Sequence, residues 1–244
     1  MAAMMIPDRC PRRASKGEKR LFSVLQDLPG EYIVYYEPVI ENRYPDFVVI
    51  CPDLGLLIIE VKGWRQNDIL SGDNHSLRIK EPIGTVKQSH PIRQAREYMF
   101  NVMDRVRKLP GGQRLLNGPG EHENRLAFPF GHFAVLSNIT TEQLTRTAAG
   151  DMTPLFQSNK VMTRDKLLEL EEQQPTESEL RERLKDYFDP FWSINQSLRE
   201  DQIDVLRAAI HPEVQIGSGS RGSDAINTKD IEIGADTADL KILD

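Results

Sequence analysis

The chain has 244 residues, enough for one sizeable domain or two small ones. Hydrophobic residues make up 39% and charged residues 28%, as in typical globular proteins, and no apolar run is long enough to span a membrane. The net charge of −6 argues against a protein that coats nucleic acid non-specifically, although a local basic surface would still allow DNA contact. The two cysteines, Cys10 and Cys51, form neither a disulfide framework nor a zinc site, and no signal peptide is recognisable. We therefore expect a cytoplasmic protein.

The first helix follows a basic N-terminal arm, residues 1–14. Ser15 is a typical N-cap, and Glu18 completes a capping box three residues later. Pro29 and the glycine after it end the helix. The cations around this start are Arg9, Arg12, Arg13, Lys16, Lys19 and Arg20. Two interpretations stay open for them: contact with phosphates, or an arm and a helix face exposed to solvent.

Three segments rich in β-branched and aromatic residues follow this helix, at 31–37, 46–51 and 55–61. A Pro-Asp-Leu turn closed by Gly55 joins the second segment to the third, which is a signal for a β-hairpin. The three segments therefore predict an antiparallel meander of three strands.

The predicted hairpin carries two carboxylates and a lysine. We count its register from the turn, with Cys51 opposite Gly55. Asp46 then lies opposite Glu60, and Lys62 shares their face because alternate residues of a strand point the same way. Opposed like charges at the end of an apolar strand cost free energy unless something pairs them, and a divalent cation is the obvious partner. The alternative is a buried glutamate–lysine pair in an ordinary sheet.

A long helix and a further strand come next. Residues 68–80 are polar with a short strand at 76–80, and Pro91 opens a helix that runs to about Leu109. The side chains expected to face the sheet are Ala95, Met99, Val102, Met103 and Val106. A second basic group consists of Arg78, Lys80, Lys87, Arg93, Arg96, Arg105, Arg107 and Lys108. It could contact phosphates or form an ordinary helix face, and contact with phosphates is favoured for Arg93 and Arg96. Residues 128–139 predict another core strand.

Three more helices are expected after residue 151. They cover about 164–172, 176–188 and 197–210, and we expect them to pack on the preceding domain. No histidine–cysteine cluster has metal-ligand spacing, and no Gly-x-Ser-x-Gly motif occurs, which argues against a zinc site and a serine hydrolase. The segment 217–236 is rich in Gly, Ser and Asp, a composition typical of a flexible linker.

Five short motifs occur in one order along the chain: Gly17-Glu18-Lys19-Arg20-Leu21-Phe22, Pro45-Asp46-Phe47-Val48-Val49, Gly55-Leu56-Leu57, Glu60-Val61-Lys62-Gly63-Trp64 and Pro91-Ile92-Arg93-Gln94-Ala95. In that order they resemble the nuclease-related domain, NERD, of the PD-(D/E)XK superfamily. The resemblance covers roughly residues 15–145. It implies an α/β fold with a restriction-endonuclease-like core, in which helices flank a central mixed β-sheet, followed by a C-terminal helical extension.

The hairpin residues then have defined chemical roles. Asp46 and Glu60 would hold Mg²⁺ or Mn²⁺ together with the Val61 carbonyl. Lys62 would orient the attacking water or stabilise the charge that develops on the phosphate. We therefore predict a magnesium-dependent deoxyribonuclease that hydrolyses phosphodiester bonds in DNA repair, processing or defence. The rival interpretation is a non-catalytic DNA-binding or docking module that keeps the nuclease fold, and the complete Asp, Glu and Lys set argues against it.

The resemblance implies further site residues. Glu18 becomes a candidate acid that reaches the metal from the first helix, in competition with its role as cap partner. Gln94, near the start of the long helix, becomes a candidate for orienting a phosphate or a water. The candidates for DNA contact are Lys19, Arg93, Arg96 and Trp64.

The expected organisation has four parts: the basic arm 1–14, the NERD nuclease-like domain 15–150, the helical extension 151–212, and a flexible linker 213–244 towards an absent helicase domain. Proteins similar to this one often continue into a superfamily 1 helicase, which begins with a segment like the closing Lys-Ile-Leu-Asp. We therefore expect such a helicase as a partner in cis or in trans. No Gly-x-x-x-x-Gly-Lys-Ser/Thr phosphate loop occurs, so no ATP site is expected in this chain. A membrane partner is not expected.

Overall fold

The structure of the chain is a computed structural model that describes residues 2–120, 122–145, 151–156, 158–189 and 197–211. The predictions made for 213–244, the linker and the segment similar to a helicase start, lie outside the described residues. Among the helices of the described ranges, none combines the length and the apolar character that crossing a membrane requires.

The described residues form nine strands and six α-helices. The strands are β1 Met4–Ile6, β2 Ile33–Tyr36, β3 Phe47–Cys51, β4 Gly55–Lys62, β5 Ile69–Gly72, β6 Ser76–Glu81, β7 Gly84–Ser89, β8 Phe130–Leu136 and β9 Val161–Thr163. The α-helices are α1 Lys16–Gln26, α2 Pro91–Lys108, α3 Thr141–Thr145, α4 Arg164–Gln173, α5 Glu177–Lys185 and α6 Glu200–Ile210. Short 3₁₀ turns occupy Gln66–Asp68, Gly112–Leu115 and Ser158–Lys160.

A six-stranded mixed sheet forms the centre, in the order β1-β2-β3-β4-β8-β9. Strands β2, β3 and β4 are antiparallel neighbours, as the predicted meander requires. The other neighbours, β1 with β2, β4 with β8, and β8 with β9, are parallel. Parallel strands need a long connection, and the one between β4 and β8 contains α2. The predicted fold class, an α/β fold with a central mixed sheet flanked by helices, is confirmed.

The hairpin has the register that was counted from its turn. Cys51 pairs with Gly55, and Phe47 pairs with Ile59 at the other end. Gly55 adopts a φ of 114°, where a side chain is strained. A Cβ at this position would also lie 1.8 Å from the backbone oxygen of Pro129. Glycine is therefore required both by the turn and by the close approach of the chain that leads into β8.

Helices cover both faces of the sheet. Helices α1, α4 and α5 share one apolar core with the sheet, which includes Val49 and Phe133. Helices α2 and α6 share the core on the opposite face, which includes Ile50 and Ile58. All five α2 side chains that were predicted to face the sheet are buried. The helices after residue 151 thus contribute to the same two cores as the sheet.

Two features differ from the expectation. Residues 4–6, inside the predicted basic arm, form β1 and extend the sheet by one strand. Residues 69–89 form a second, three-stranded antiparallel sheet, where the sequence predicted only one strand at 76–80. Leu77 and Ile79 of this sheet are buried in a third apolar core, which also includes residues at the end of β8.

Candidate active site

The two predicted carboxylates face each other at the end of the hairpin. The pairing of β3 with β4 runs to Phe47 and Ile59, so Asp46 lies one step beyond it, across from Glu60. Oδ2 of Asp46 accepts a hydrogen bond from the Val61 backbone N–H at 2.6 Å. This bond holds the carboxylate of Asp46 against β4, next to the glutamate.

A lysine pairs with only one oxygen of the buried glutamate. Glu60 is 2% exposed, and its Oε1 accepts a hydrogen bond from Nζ of Lys62 at 2.6 Å. Its other oxygen, Oε2, is buried and has no hydrogen-bond partner. Such an oxygen costs on the order of 1–3 kcal/mol unless a cation or a water lies beside it. The interior of this site therefore contains one carboxylate oxygen without a hydrogen-bond partner.

Burial and like charge raise the pKa of both carboxyl groups. Burial first, and then the charge of Glu60, raise the pKa of Asp46 to about 8, against the opposing effects of the Val61 N–H and Lys62. Burial also raises the pKa of Glu60, although Lys62 favours its charged form. Burial and mutual repulsion therefore disfavour the state in which both carboxyl groups are ionised.

Glu18 has the cap role that the sequence predicts. Its backbone N–H donates to the Ser15 hydroxyl at 3.2 Å, and its Oε2 accepts from the Ser15 N–H at 3.0 Å. The same oxygen accepts a hydrogen bond from the Tyr36 hydroxyl at 2.8 Å. The charge of Glu18 still raises the pKa of Asp46 and of Glu60 as a minor cause. Within the described residues, no three His, Cys, Asp or Glu side chains are grouped to hold a metal, so a metal-binding role for Glu18 stays a prediction.

Helix α2 carries a glutamine and a tyrosine towards the carboxylates. Nε2 of Gln94 donates a hydrogen bond to the Tyr98 hydroxyl at 2.7 Å. Burial raises the pKa of Tyr98, and the charges of Glu60 and Asp46 raise it further, so these three side chains are close enough to interact. Sequence reasoning missed Tyr98. The signal that could have found it is its spacing of four from Gln94, which puts both on one helix face.

The oxygen ligands present fit a magnesium or manganese ion. Mg²⁺ prefers oxygen ligands, keeps several waters and is commonly held by one or two carboxylates. Asp46 and Glu60 supply these carboxylates, and the unpartnered Oε2 of Glu60 is available to a cation. The Val61 carbonyl, whose N–H already binds Asp46, stays a predicted further ligand.

The sequence of the chain matches a known family over the region that builds this site. A family model described as the nuclease-related domain, NERD, matches residues 13–142, more than half of the chain. The chain belongs to the NERD family. The match includes the hairpin, α1, α2 and β8, and it confirms the resemblance seen in the motifs. No curated protein and no solved structure matches the chain.

The NERD region does not bring the four predicted DNA-contacting side chains together. Arg93 and Arg96 line a cavity of about 820 Å³ whose described lining contains neither carboxylate of the hairpin. Nζ of Lys19 donates a hydrogen bond to a backbone carbonyl of the N-terminal segment at 2.9 Å. The ring centre of Trp64 lies 5.7 Å from Nζ of Lys62, so it is the member of this set beside the site. Contact of these four residues with DNA stays a prediction.

Proposed function

We propose that this NERD protein is a metal-dependent deoxyribonuclease that hydrolyses phosphodiester bonds. The observation that carries the proposal is the buried, unpartnered Oε2 of Glu60, which lies in a site shared with Asp46 and Lys62. An ordinary buried glutamate–lysine pair is stable only when its remaining polar atoms are also satisfied. The unused oxygen and the second carboxylate therefore favour a metal site over that simpler alternative.

Each side chain of the site has a separate role in the proposed reaction. Asp46 and Glu60 would hold Mg²⁺ or Mn²⁺, with the Val61 carbonyl and Glu18 as further candidate ligands. The chemistry supplied by a bound ion would be polarisation of the scissile phosphate and a lower pKa of a water. The ammonium of Lys62 orients the attacking water or stabilises the negative charge that develops on the phosphate.

Two side chains of α2 complete the proposed site. The amide of Gln94 positions a phosphate or a water, and its hydrogen bond to Tyr98 fixes the orientation of that amide. Because Tyr98 is 6% exposed and packed in the core, its hydroxyl is a fixed partner for the glutamine.

The wider setting of the activity is part of the same proposal. We place it in DNA repair, processing or defence, with a superfamily 1 helicase as partner in cis or in trans. The resemblance of the closing residues to a helicase start supports that partner. Cys10 and Cys51 are both free thiols, which is consistent with a reducing cytoplasm.

A cleavage assay tests the proposal. The full chain is expected to nick or degrade DNA with Mg²⁺ or Mn²⁺, and EDTA should stop the reaction. Asp46→Ala and Glu60→Ala each remove a metal ligand, so both should lose metal affinity and cleavage. Lys62→Ala should lose cleavage but keep metal and DNA binding, because the lysine acts on the reacting groups and not on the ion. The substrates must include single-stranded and forked DNA.

A matched control separates chemistry from stability. Glu41→Gln disrupts another lysine–glutamate pair, in which Nζ of Lys108 lies 2.8 Å from the Glu41 carboxylate, and Glu41 belongs to neither the proposed site nor the cavity of Arg93 and Arg96. This variant should still cleave DNA. If the wild type and the three site variants bind DNA equally and none cleaves any substrate with either metal, the protein is a docking module and the nuclease proposal is wrong.

A further inference from the structure

A basic cleft of about 480 Å³ lies beside the active-site end of β4. Four cations line it: Lys16, Arg20, Arg65 and Arg164. The rest of its described lining consists of a glycine and neutral polar side chains, and it contains no aspartate or glutamate. We refer to it as the basic cleft. The cations come from α1, the loop after β4 and the start of α4, so the fold gathers them from distant parts of the sequence.

The positive charge of the basic cleft is largely uncompensated. Arg20 lies 3.5 Å from Glu171, and both side chains are about 40% exposed, so this ion pair is weak. Within the described part of the chain, the side chains of Lys16, Arg65 and Arg164 form no ion pair. Like charges that converge repel each other, and a polyanion in the cleft would remove that repulsion.

The wall of the basic cleft is hydrogen-bonded to the backbone of β4 at its active-site end. By strand alternation the Lys62 side chain lies on the Ile58 face of the sheet, whereas α1 and α4 lie on the Val61 face, so the cleft and the site meet at the end of β4. The backbone N–H and the hydroxyl of Ser137 donate to the Lys62 carbonyl at 3.0 and 3.2 Å. Nδ2 of Asn138 donates to the Gly63 carbonyl at 2.7 Å. Arg65 follows Lys62 by three residues, which limits their Cα separation to about 10 Å. At a rise of about 3.4 Å per nucleotide, that distance corresponds to about three nucleotides of one strand.

Two helices begin at the basic cleft, and their first turns also carry the acids Glu18 and Asp165. Lys16 and Gly17 are the first residues of α1, and Arg164 is the first residue of α4. The start of a helix carries a partial positive charge that favours phosphates. A Cβ on Gly17 would lie 2.4 Å from the Ser137 side chain, so glycine allows α1 to begin against the end of β8.

We propose that the basic cleft binds the backbone phosphates of the DNA strand that leads into the Asp46–Glu60–Lys62 site. This inference rests on the proposed function, because the cleft would hold the strand on which the nuclease acts. Trp64 lies between Lys62 and Arg65 in the chain and packs partly against the third apolar core, and the exposed part of its ring would be a surface on which a base of the same strand can stack. The basic cleft thus supplies the local basic surface that the net charge of −6 leaves possible.

Anisotropy of a fluorescent 20-nucleotide single strand, titrated with the full chain in EDTA, tests the proposal without any cleavage. The cleft variant combines Lys16→Gln, Arg65→Gln and Arg164→Gln. Its affinity at 100 mM salt should fall at least about tenfold. The slope of log affinity against log salt concentration should become less steep by about two. The control variant combines Arg114→Gln, Arg125→Gln and Lys185→Gln, three exposed cations with the same total charge that line no part of the cleft. It should bind almost like the wild type, and thermal melting should show that all three proteins are folded.

The possible outcomes test the cleft proposal and the nuclease proposal separately. The cleft proposal is wrong if the cleft variant keeps the wild-type affinity and slope, if the control variant loses as much, or if the wild type binds inorganic phosphate but no DNA. If the wild type cleaves DNA and the cleft variant binds DNA as tightly as the wild type, only the cleft proposal is contradicted. If the wild type binds DNA through the cleft but cleaves no substrate, only the nuclease proposal is contradicted.

Discussion

At the scale of single residues, the protonation of Asp46 couples stability to pH in the metal-free protein. Its folded-state pKa of about 8 lies above the ordinary value of 3.8, so the folded protein holds a proton that the unfolded chain releases. The stabilisation from this proton is complete below about pH 4 and is lost as the pH rises through about 8. In EDTA, the wild type should therefore lose stability between pH 5 and pH 8.

Asp46→Asn should lose most of that pH dependence and be the more stable protein at pH 8, because it removes the like charge beside Glu60. Urea denaturation at pH 5 and pH 8 measures the difference. His132, whose pKa burial lowers to about 4, titrates in both proteins, so its effect cancels in the comparison. Equal pH dependence in the two proteins would contradict the account of the carboxylate pair.

A second prediction for single residues concerns the stability that the hydrogen bond between Lys62 and Glu60 provides. Lys62→Met leaves a carboxylate that is 2% exposed without its hydrogen-bond donor. In EDTA at pH 8, this change should lower the free energy of unfolding by about 1–3 kcal/mol. Adding Glu60→Gln should restore part of the loss, because no buried charge then remains. A double-mutant cycle in urea measures the coupling, and strictly additive losses would mean that the two groups do not interact.

The sequence predicts some site residues better than others. Asp46, Glu60 and Lys62 could be placed because strand periodicity and one turn define their register. Tyr98 could not, because its position near the carboxylates depends on how α2 packs on β4. Arg93 shows the same limit: the sequence places it near Gln94, but its side chain faces a different cavity.

At the scale of elements, the turn of the hairpin decides whether the two carboxylates meet. Gly55 and Gly84 both adopt positive φ, at 114° and 137°. A Cβ on Gly55 would lie 1.8 Å from a backbone oxygen, whereas a Cβ on Gly84 meets nothing within 4 Å. Gly84→Ala should therefore cost only backbone strain, about 1 kcal/mol. Gly55→Ala should cost several kcal/mol and weaken metal binding, because it displaces the hairpin.

The comparison of Gly55→Ala with Gly84→Ala separates the effect of the close approach from that of backbone strain. Urea unfolding of Gly55→Ala and Gly84→Ala reports stability, and Mn²⁺ titration reports the metal site. If both variants lose the same stability, the close approach at Gly55 does not constrain the hairpin.

Elements with strong local signals could be predicted, and those without them could not. The capping box of α1 and the proline at the start of α2 gave helix starts that the structure confirms. By contrast, β1 has three residues and pairs in parallel with β2 across α1, which no local pattern indicates. The strands β5 and β7 are mostly exposed and polar, so they lack the apolar alternation that would have marked them.

At the scale of the whole molecule, the part of the chain beyond the NERD match contributes to the core. Leu167 and Leu170 of α4, and Leu180 and Leu184 of α5, are buried in the same core as α1. A chain cut after residue 150 would expose this face, so it should lose cooperative unfolding. A chain cut after residue 212 should unfold like the full chain, since the sequence predicts a linker beyond that point. Circular dichroism melts of the three chains compare them, and a stable chain ending at 150 would contradict a shared core.

The position of a bound metal tests the central claim most directly. Crystals of the full chain grown with Mn²⁺ should give an anomalous difference peak between the carboxylates of Asp46 and Glu60. Crystals of Glu60→Gln should lack that peak, because the amide leaves one carboxylate and no second negative charge. A wild-type structure with no peak at this position, or a peak that persists unchanged in Glu60→Gln, would contradict the proposed metal site.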